Sequence, residues 1–239
     1  MSLRIEPLSG GVLRLTMDRP RAANALNREL HGALVDALDA AARDASVRAV
    51  LLTGAGGRVF SAGADLREDL GVPAEEARAL RRAMLLRTLL AVVDCPRPLI
   101  AVVRGKAVGA GAMLALLADE ALMEEGAALS LPEIALGMAS PIGAAIVAAR
   151  GGRTMAQALV QAAEAVAAHA ALAAHLVVAV HPDAALDAAA EERAARLGAF
   201  DPAAYAANKQ WLNAPLREAL IRAAEHAAKA GMGDAVHAR

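Results

Sequence analysis

Residues 3–6 and 12–17 alternate apolar and polar side chains around Ser9-Gly10-Gly11, the pattern of a β-hairpin, and Asp18-Arg19-Pro20 ends its second strand. Asn27 is placed to cap a helix running to about Arg43, in which Leu30, Leu34, Ala37, Leu38 and Ala41 recur at helical spacing. Ala49–Thr53 reads as a short buried strand closed by Gly54-Ala55-Gly56-Gly57, and 59–66 as a small-residue turn leaving another strand. The polar stretch 67–73, with Gly71 and Pro73, predicts a mobile loop, and a long amphipathic helix follows from about Ala74 to Val93. Cys95-Pro96-Arg97-Pro98 then punctuates the chain before its most apolar passage.

That passage, 99–133, organises the rest. The β-branched run Leu99–Val103 gives way to a turn of small residues, 105–111, then a short apolar helix at 112–117 and a strand at 121–124. The lone acid Glu133 follows, between Leu131-Pro132 and Ile134-Ala135-Leu136. Beyond it the pattern is helical, with breaks near Pro141, at Gly151-Gly152, at His181-Pro182-Asp183 and at Asp201-Pro202, and one short strand at 176–180. The last helix takes Asp201 as N-cap and Pro202 as its first residue, and runs to about Ala230 with a bend at Pro215. Strands alternating with helices, then helices alone, give an α/β core over 1–180 and a helical region over 181–239, with no linker between them.

Composition narrows the classes. The chain has 239 residues with 25 basic and 26 acidic side chains, so its balance favours neither nucleic acid nor an anionic membrane. Its four aromatic residues are too few for a base-stacking platform. The apolar runs are broken by charge well short of a membrane span, and Met1–Glu6 has no signal-like apolar core, so a soluble cytoplasmic protein is expected. One cysteine, Cys95, excludes an intrachain disulfide and any multi-cysteine metal site, and its place beside Pro96 reads as a small buried thiol.

Several familiar chemistries fail on spacing. Val59 stands where a dinucleotide loop starting at Gly54 would need its third glycine, and Lys106 is followed by Ala107 rather than Ser or Thr, so neither nucleotide loop is formed. Ser61 and Ser140 lack the flanking glycines of a nucleophile elbow. His31, His169, His175, His181, His226 and His237 make no ligand spacing with one another or with a carboxylate; each reads as solvated, and no metal is expected. Two small-residue turns, 61–64 and 109–111, and Glu133 remain. A chain passing from a strand through small residues into a helix presents aimed N–H groups, and beside a partly desolvated carboxylate these can hold an oxyanion and move a proton. Spacing alone serves close backbone packing and a surface acid equally well.

The motifs VLRLTMDRPRAANAL (12–26), RAVLLTGAGGRVFSAGADL (48–66), PLIAVVRGKAVGAGAMLALLADEALM (98–123) and LPEIALGM (131–138) occur in one order and register, and in this the chain resembles the crotonase (enoyl-CoA hydratase/isomerase) superfamily. The resemblance is specific over 12–138 and weaker towards the tail. It implies a spiral of ββα turns with a helical C-terminal trimerisation region, a homotrimer or homohexamer, and an acyl-CoA thioester as substrate, with no cofactor beyond the CoA that the substrate carries. By the same resemblance the N–H groups of Ala64 and Ala110 match the pair that holds the thioester oxygen, Glu133 matches the catalytic acid, and Ala22, Ala62, Asp65 and Leu66 line the CoA path. Lys209 on the last helix reads as a surface lysine within reach of a CoA phosphate.

The chain also departs from the family pattern. Hydratases of the family carry a second glutamate at the position of Met113, and a glycine-rich run where this chain has Met138-Ala139-Ser140-Pro141-Ile142. Ala110 replaces the usual middle glycine of its turn, which leaves its N–H in place. Adding water across a double bond needs one group to activate water and another to manage the proton, whereas shifting a double bond needs one base beside an oxyanion hole. The single-glutamate pattern resembles the Δ3,Δ2-enoyl-CoA isomerases, and the expected activity is conversion of 3-enoyl-CoA to 2-enoyl-CoA. Enoyl-CoA hydration or another crotonase-type reaction is one alternative, and a non-catalytic acyl-CoA binder is the other.

Overall fold

The computed structural model describes residues 2–229. Strands β1 (Leu3–Pro7) and β2 (Val12–Met17) form the expected hairpin, with Leu3 opposite Met17. From β2 onward the chain winds in turns, each adding one strand to each of two sheets. The first sheet, in order β1-β2-β3-β5-β7-β10, takes β3 (Ala49–Gly54), β5 (Leu99–Val103), β7 (Glu120–Glu124) and β10 (Ala179–His181), all parallel after the hairpin. The second, in order β4-β6-β8-β9, is built from very short strands: β4 (Val59–Ser61), β6 (Lys106–Val108), β8 (Ala128–Ser130) and β9 (Val166–Ala167).

The strand composition follows from being covered on both faces. All five residues of β5 are buried, so it reads as a continuous apolar run rather than an alternation. Leu51, Ile100 and Val102 point to one side, where α6 (Asp183–Gly198) lays Leu186, Ala190, Ala194 and Leu197 on them. Leu52, Leu99, Ala101 and Val103 point to the other, into the main core with α1 (Arg28–Arg43), α2 (Ala74–Asp94) and α3 (Ala110–Leu117). The division drawn at residue 180 falls inside β10. Helix α4 (Pro141–Ala156) breaks at Gly152 as expected, the short α5 (Ala168–Ala173) follows β9, and α7 (Pro202–Lys229) closes the described chain. Asp201 caps α7 by accepting the Ala204 N–H at 2.8 Å, and Pro215 lies within the helix. The expected last residue of that helix, Ala230, together with His237 and the end of the 181–239 region, lies outside the described residues.

Four expectations need correction. Residues 105–111 are not all turn, and the passage after Glu133 holds a strand besides the one expected at 176–180. Each hides a strand, β6 and β9, whose two or three residues are too few to show a period. Lys209 is not a surface lysine: it is 6% exposed, with Nζ 2.7 Å from Asp119 Oδ2 and 3.1 Å from the Arg97 carbonyl. Asp119 also accepts the Leu99 N–H at 2.8 Å, so the pair pins α7 to the start of β5, and no ammonium is left for a phosphate. His31 is not solvated either. It lies on the buried face of α1 with Nδ1 2.8 Å from Thr88 Oγ1, and since that hydroxyl donates to the Met84 carbonyl, the imidazole is the donor to it.

Burial pulls the His31 pKa down from 6.5 to about 4. The unfolded chain therefore takes up a proton that the folded chain refuses, and stability falls as pH drops through that window. Between about pH 7 and about pH 5 this group alone is expected to cost the fold on the order of 2 kcal/mol. Urea midpoints at the two pH values should move less in His31→Leu than in the wild type; equal movement would remove His31 as the cause.

Candidate active site

The first donor comes from the chain leaving β4. Leu26 forms a parallel bridge with Ala64: its N–H meets the Gly63 carbonyl at 2.8 Å and its carbonyl accepts the Asp65 N–H at 3.0 Å. Ladder geometry then turns the N–H of Ala64, the residue between, to the opposite side. The second donor comes from the chain leaving β6. Gly109, at φ +52° and ψ −123°, holds a conformation closed to side-chain-bearing residues and starts α3, so Ala110 is its first helical residue. The first N–H groups of a helix have no partner within it. Among the described residues, neither the Ala64 nor the Ala110 N–H donates to a protein acceptor.

The two donors lie together. A methyl group added to Gly63 would fall 3.2 Å from the Ala110 nitrogen and 2.8 Å from the Val108 carbonyl oxygen, so only glycine permits this approach. The acid arrives by the same route one turn later. Glu133 follows β8 in a 3-10 turn over Pro132–Leu136, and a methyl added to Gly109 would lie 3.0 Å from Glu133 Oε1. Glu133 Oε2 is buried with no hydrogen-bond partner. Burial raises the Glu133 pKa above the usual carboxylate range, opposed in part by a backbone N–H. The structure thus brings Ala64, Ala110 and Glu133 to one spot.

Met113 sits one turn into α3, buried, its N–H on the Gly109 carbonyl at 3.0 Å. Its Cε faces α4, where a methyl on Gly143 would meet it at 3.1 Å, along with Ser140 Oγ at 2.6 Å and Leu131 Cδ2 at 2.5 Å. Helix α4 opens on Pro141, whose nitrogen carries no hydrogen. The side chains that meet at Gly143 are therefore apolar except for the Ser140 hydroxyl.

Ala62, Asp65 and Leu66 flank the first donor along the chain, and Ala22 lies in the turn beside them. The Ala62 N–H donates to the Ala23 carbonyl at 2.9 Å, which lays the turn 20–24 along 62–66. Ala22 is half-buried, Ala62 exposed and Leu66 53% exposed. The Asp65 carboxylate is engaged by Arg19 at 2.9 Å. The loop 67–73, read as mobile, is tied down: the Glu68 carboxylate accepts the Arg28 N–H at the start of α1, Arg81 donates to the Glu68 carbonyl, and Arg28 reaches the Leu70 carbonyl. No three His, Cys, Asp or Glu residues among those described are grouped to hold a metal, and no described helix is long and apolar enough to cross a membrane. Sequence reasoning missed Asn24, fully buried behind the first donor. Its one local sign is an asparagine in the turn after Pro20, a residue type that tolerates left-handed backbone.

Comparison with known proteins shows what the chain as a whole is similar to. A family model described as enoyl-CoA hydratase/isomerase matches residues 8–233. The chain is 37% identical to the 2,3-dehydroadipyl-CoA hydratase of Escherichia coli over 206 residues, 84% of this chain and 78% of that protein. It is 38% identical over 125 residues to the 1,2-epoxyphenylacetyl-CoA isomerase of the same organism, a match that spans 50% of this chain and 46% of the relative. The crystal structure of an enoyl-CoA hydratase from Mycobacterium avium subsp. paratuberculosis superposes with a TM-score of 0.86 at 31% identity, covering 100% of this chain and 95% of that one.

Proposed function

The chain belongs to the enoyl-CoA hydratase/isomerase family, and from that membership we propose that it shifts the double bond of a 3-enoyl-CoA to the 2-position with Glu133 as its one base. The observation that carries the proposal is one half-buried acid, its Oε2 buried and unpartnered, beside two unengaged N–H groups, and methionine at the position that would hold a second acid.

The thioester oxygen accepts from the Ala64 and Ala110 N–H groups. Glu133 removes a proton from C2, and the electron pair moves onto that oxygen as a dienolate. Preorganised donors at a helix start favour this charge over the neutral ground state. The dienolate then takes the same proton back from Glu133 at C4, and the double bond comes to rest between C2 and C3. No water or cofactor takes part; CoA enters only as part of the substrate. Burial, which raises the basicity of Glu133, supports this reading, and so do apolar Met113 and Leu131, which meet at Gly143 and give a nucleophilic water little to hold it. Ala22, Ala62, Asp65 and Leu66 would follow the CoA chain outward from the donors.

Hydration is the second reading, favoured by the similarity to a dehydroadipyl-CoA hydratase. Matched 3-enoyl-CoA and 2-enoyl-CoA substrates separate the two. Conversion of the 3-enoyl isomer, with negligible hydration of the 2-enoyl isomer, is expected. The reverse would make the protein a hydratase that activates water with one carboxylate, and tight binding without turnover would make it a non-catalytic acyl-CoA binder. Trp211 and Leu212, 81% and 76% exposed on α7, support assembly into a homotrimer or homohexamer through that helix.

A further inference from the structure

Asn24 is fully buried and holds φ +53°, left-handed backbone that asparagine accepts more readily than most residues. Every polar group it has is engaged. Its N–H donates to the Arg19 carbonyl at 2.9 Å, and Oδ1 accepts the Arg19 N–H at 3.0 Å. Nδ2 donates to the carbonyls of Ala55 at 2.9 Å and Val59 at 2.8 Å, closing the turn that delivers β4. Its carbonyl accepts from the Ser61 hydroxyl at 2.9 Å.

Ser61 carries the connection onward in two directions. Its Oγ accepts the N–H of Gly63, the residue before Ala64, at 3.2 Å. Its backbone lies against the first turn of α3, where a methyl on Gly111 would fall 2.5 Å from the Ser61 carbonyl oxygen and 2.7 Å from its Cβ. One buried network therefore runs from Asn24 to both segments that carry the free donors.

We infer that Asn24, acting through Ser61, is the positioning residue that sets the spacing of the Ala64 and Ala110 N–H groups. The inference rests on the oxyanion-hole reading above. Donors fixed in advance stabilise a developing oxyanion because nothing reorganises as charge forms, and a small misplacement forfeits much of that gain. Asparagine meets three demands at once: left-handed backbone, two outward N–H donors for two carbonyls, and an acceptor for a third group. Aspartate keeps its size and backbone tolerance but turns acceptor lone pairs towards the Ala55 and Val59 carbonyls.

Asn24→Asp and Ser61→Ala test this, with a conjugated arylacryloyl-CoA as probe, because its absorption moves to longer wavelength as its carbonyl is polarised. The wild type is expected to shift the bound probe. Both variants should still bind it, with the shift cut by half or more, and should lose about tenfold or more in kcat with KM within about threefold. If Asn24→Asp fails to fold, Ser61→Ala breaks the network at its next step, the hydroxyl that joins the Asn24 carbonyl to the Gly63 N–H, with a smaller change. A folded variant that keeps the wild-type shift and kcat overturns the role of Asn24 and leaves the oxyanion hole standing. A wild type that binds the probe without shifting it overturns the oxyanion hole, and this role with it.

Discussion

Glu133→Gln should lower kcat on a 3-enoyl-CoA by about 10²–10⁴-fold, the usual worth of a positioned acid–base group. Glutamine keeps the volume of the side chain between Leu131 and Ile134 and loses only the ability to take a proton. The thioester oxygen would still meet Ala64 and Ala110, so KM is expected to stay within about threefold. The pH profile adds a signature. The ionised form is the base, and burial raises its pKa, so wild-type activity should be full at high pH and fall as pH drops through a value above the ordinary carboxylate range. The residual activity of Glu133→Gln should lack that limb. A variant that turns over like the wild type would remove Glu133 from the chemistry altogether.

Ala110→Pro should cost kcat at least about 10²–10³-fold through a different loss: the backbone hydrogen goes, and the ring Cδ stands where it pointed. Ala110 is the first residue of α3, where no helical hydrogen bond uses its N–H and proline is well tolerated. The preceding Gly109 has no Cβ to meet the ring. Far-UV circular dichroism should therefore be unchanged while the oxyanion loses one of its two donors. Activity within about threefold of wild type, in a folded variant, would mean that the Ala110 N–H does not touch the reacting oxygen.

Much of this molecule was legible before any coordinates. The helix α1 announced itself because Asn27 caps it, accepting the Leu30 N–H at 3.0 Å, and because its buried residues keep a helical period. Strand β5 did so through five consecutive apolar residues. The turns 61–64 and 109–111 and the acid Glu133 stood out by their neighbours, only the family motifs singled out Ala64 and Ala110 within those turns, and the structure brings the three together. What stayed hidden depends on distant partners. Lys209 is buried because Asp119, 90 positions earlier, lies beneath it, and nothing around residue 209 announces that. His31 looks like any polar residue on a helix until Thr88 is seen beside it. Asn24 serves carbonyls at 55 and 59 and a hydroxyl at 61, and no local pattern gathers those three. The strands of the second sheet are too short for periodicity, although they set the site.

That second sheet has a consequence for how the site was dimensioned. Ala64, Ala110 and Glu133 each lie two or three residues past the end of β4, β6 and β8, and those strands are parallel neighbours in that order. The three groups are thus successive rungs at one edge of a ladder, stepped by the spacing between hydrogen-bonded strands, about 4.8 Å. Two rungs grip one oxygen and the third reaches the carbons alongside it. The scale of the reaction centre is inherited from backbone repeat rather than from any side chain. New chemistry can enter by changing what stands on a rung, while the ruler itself stays fixed.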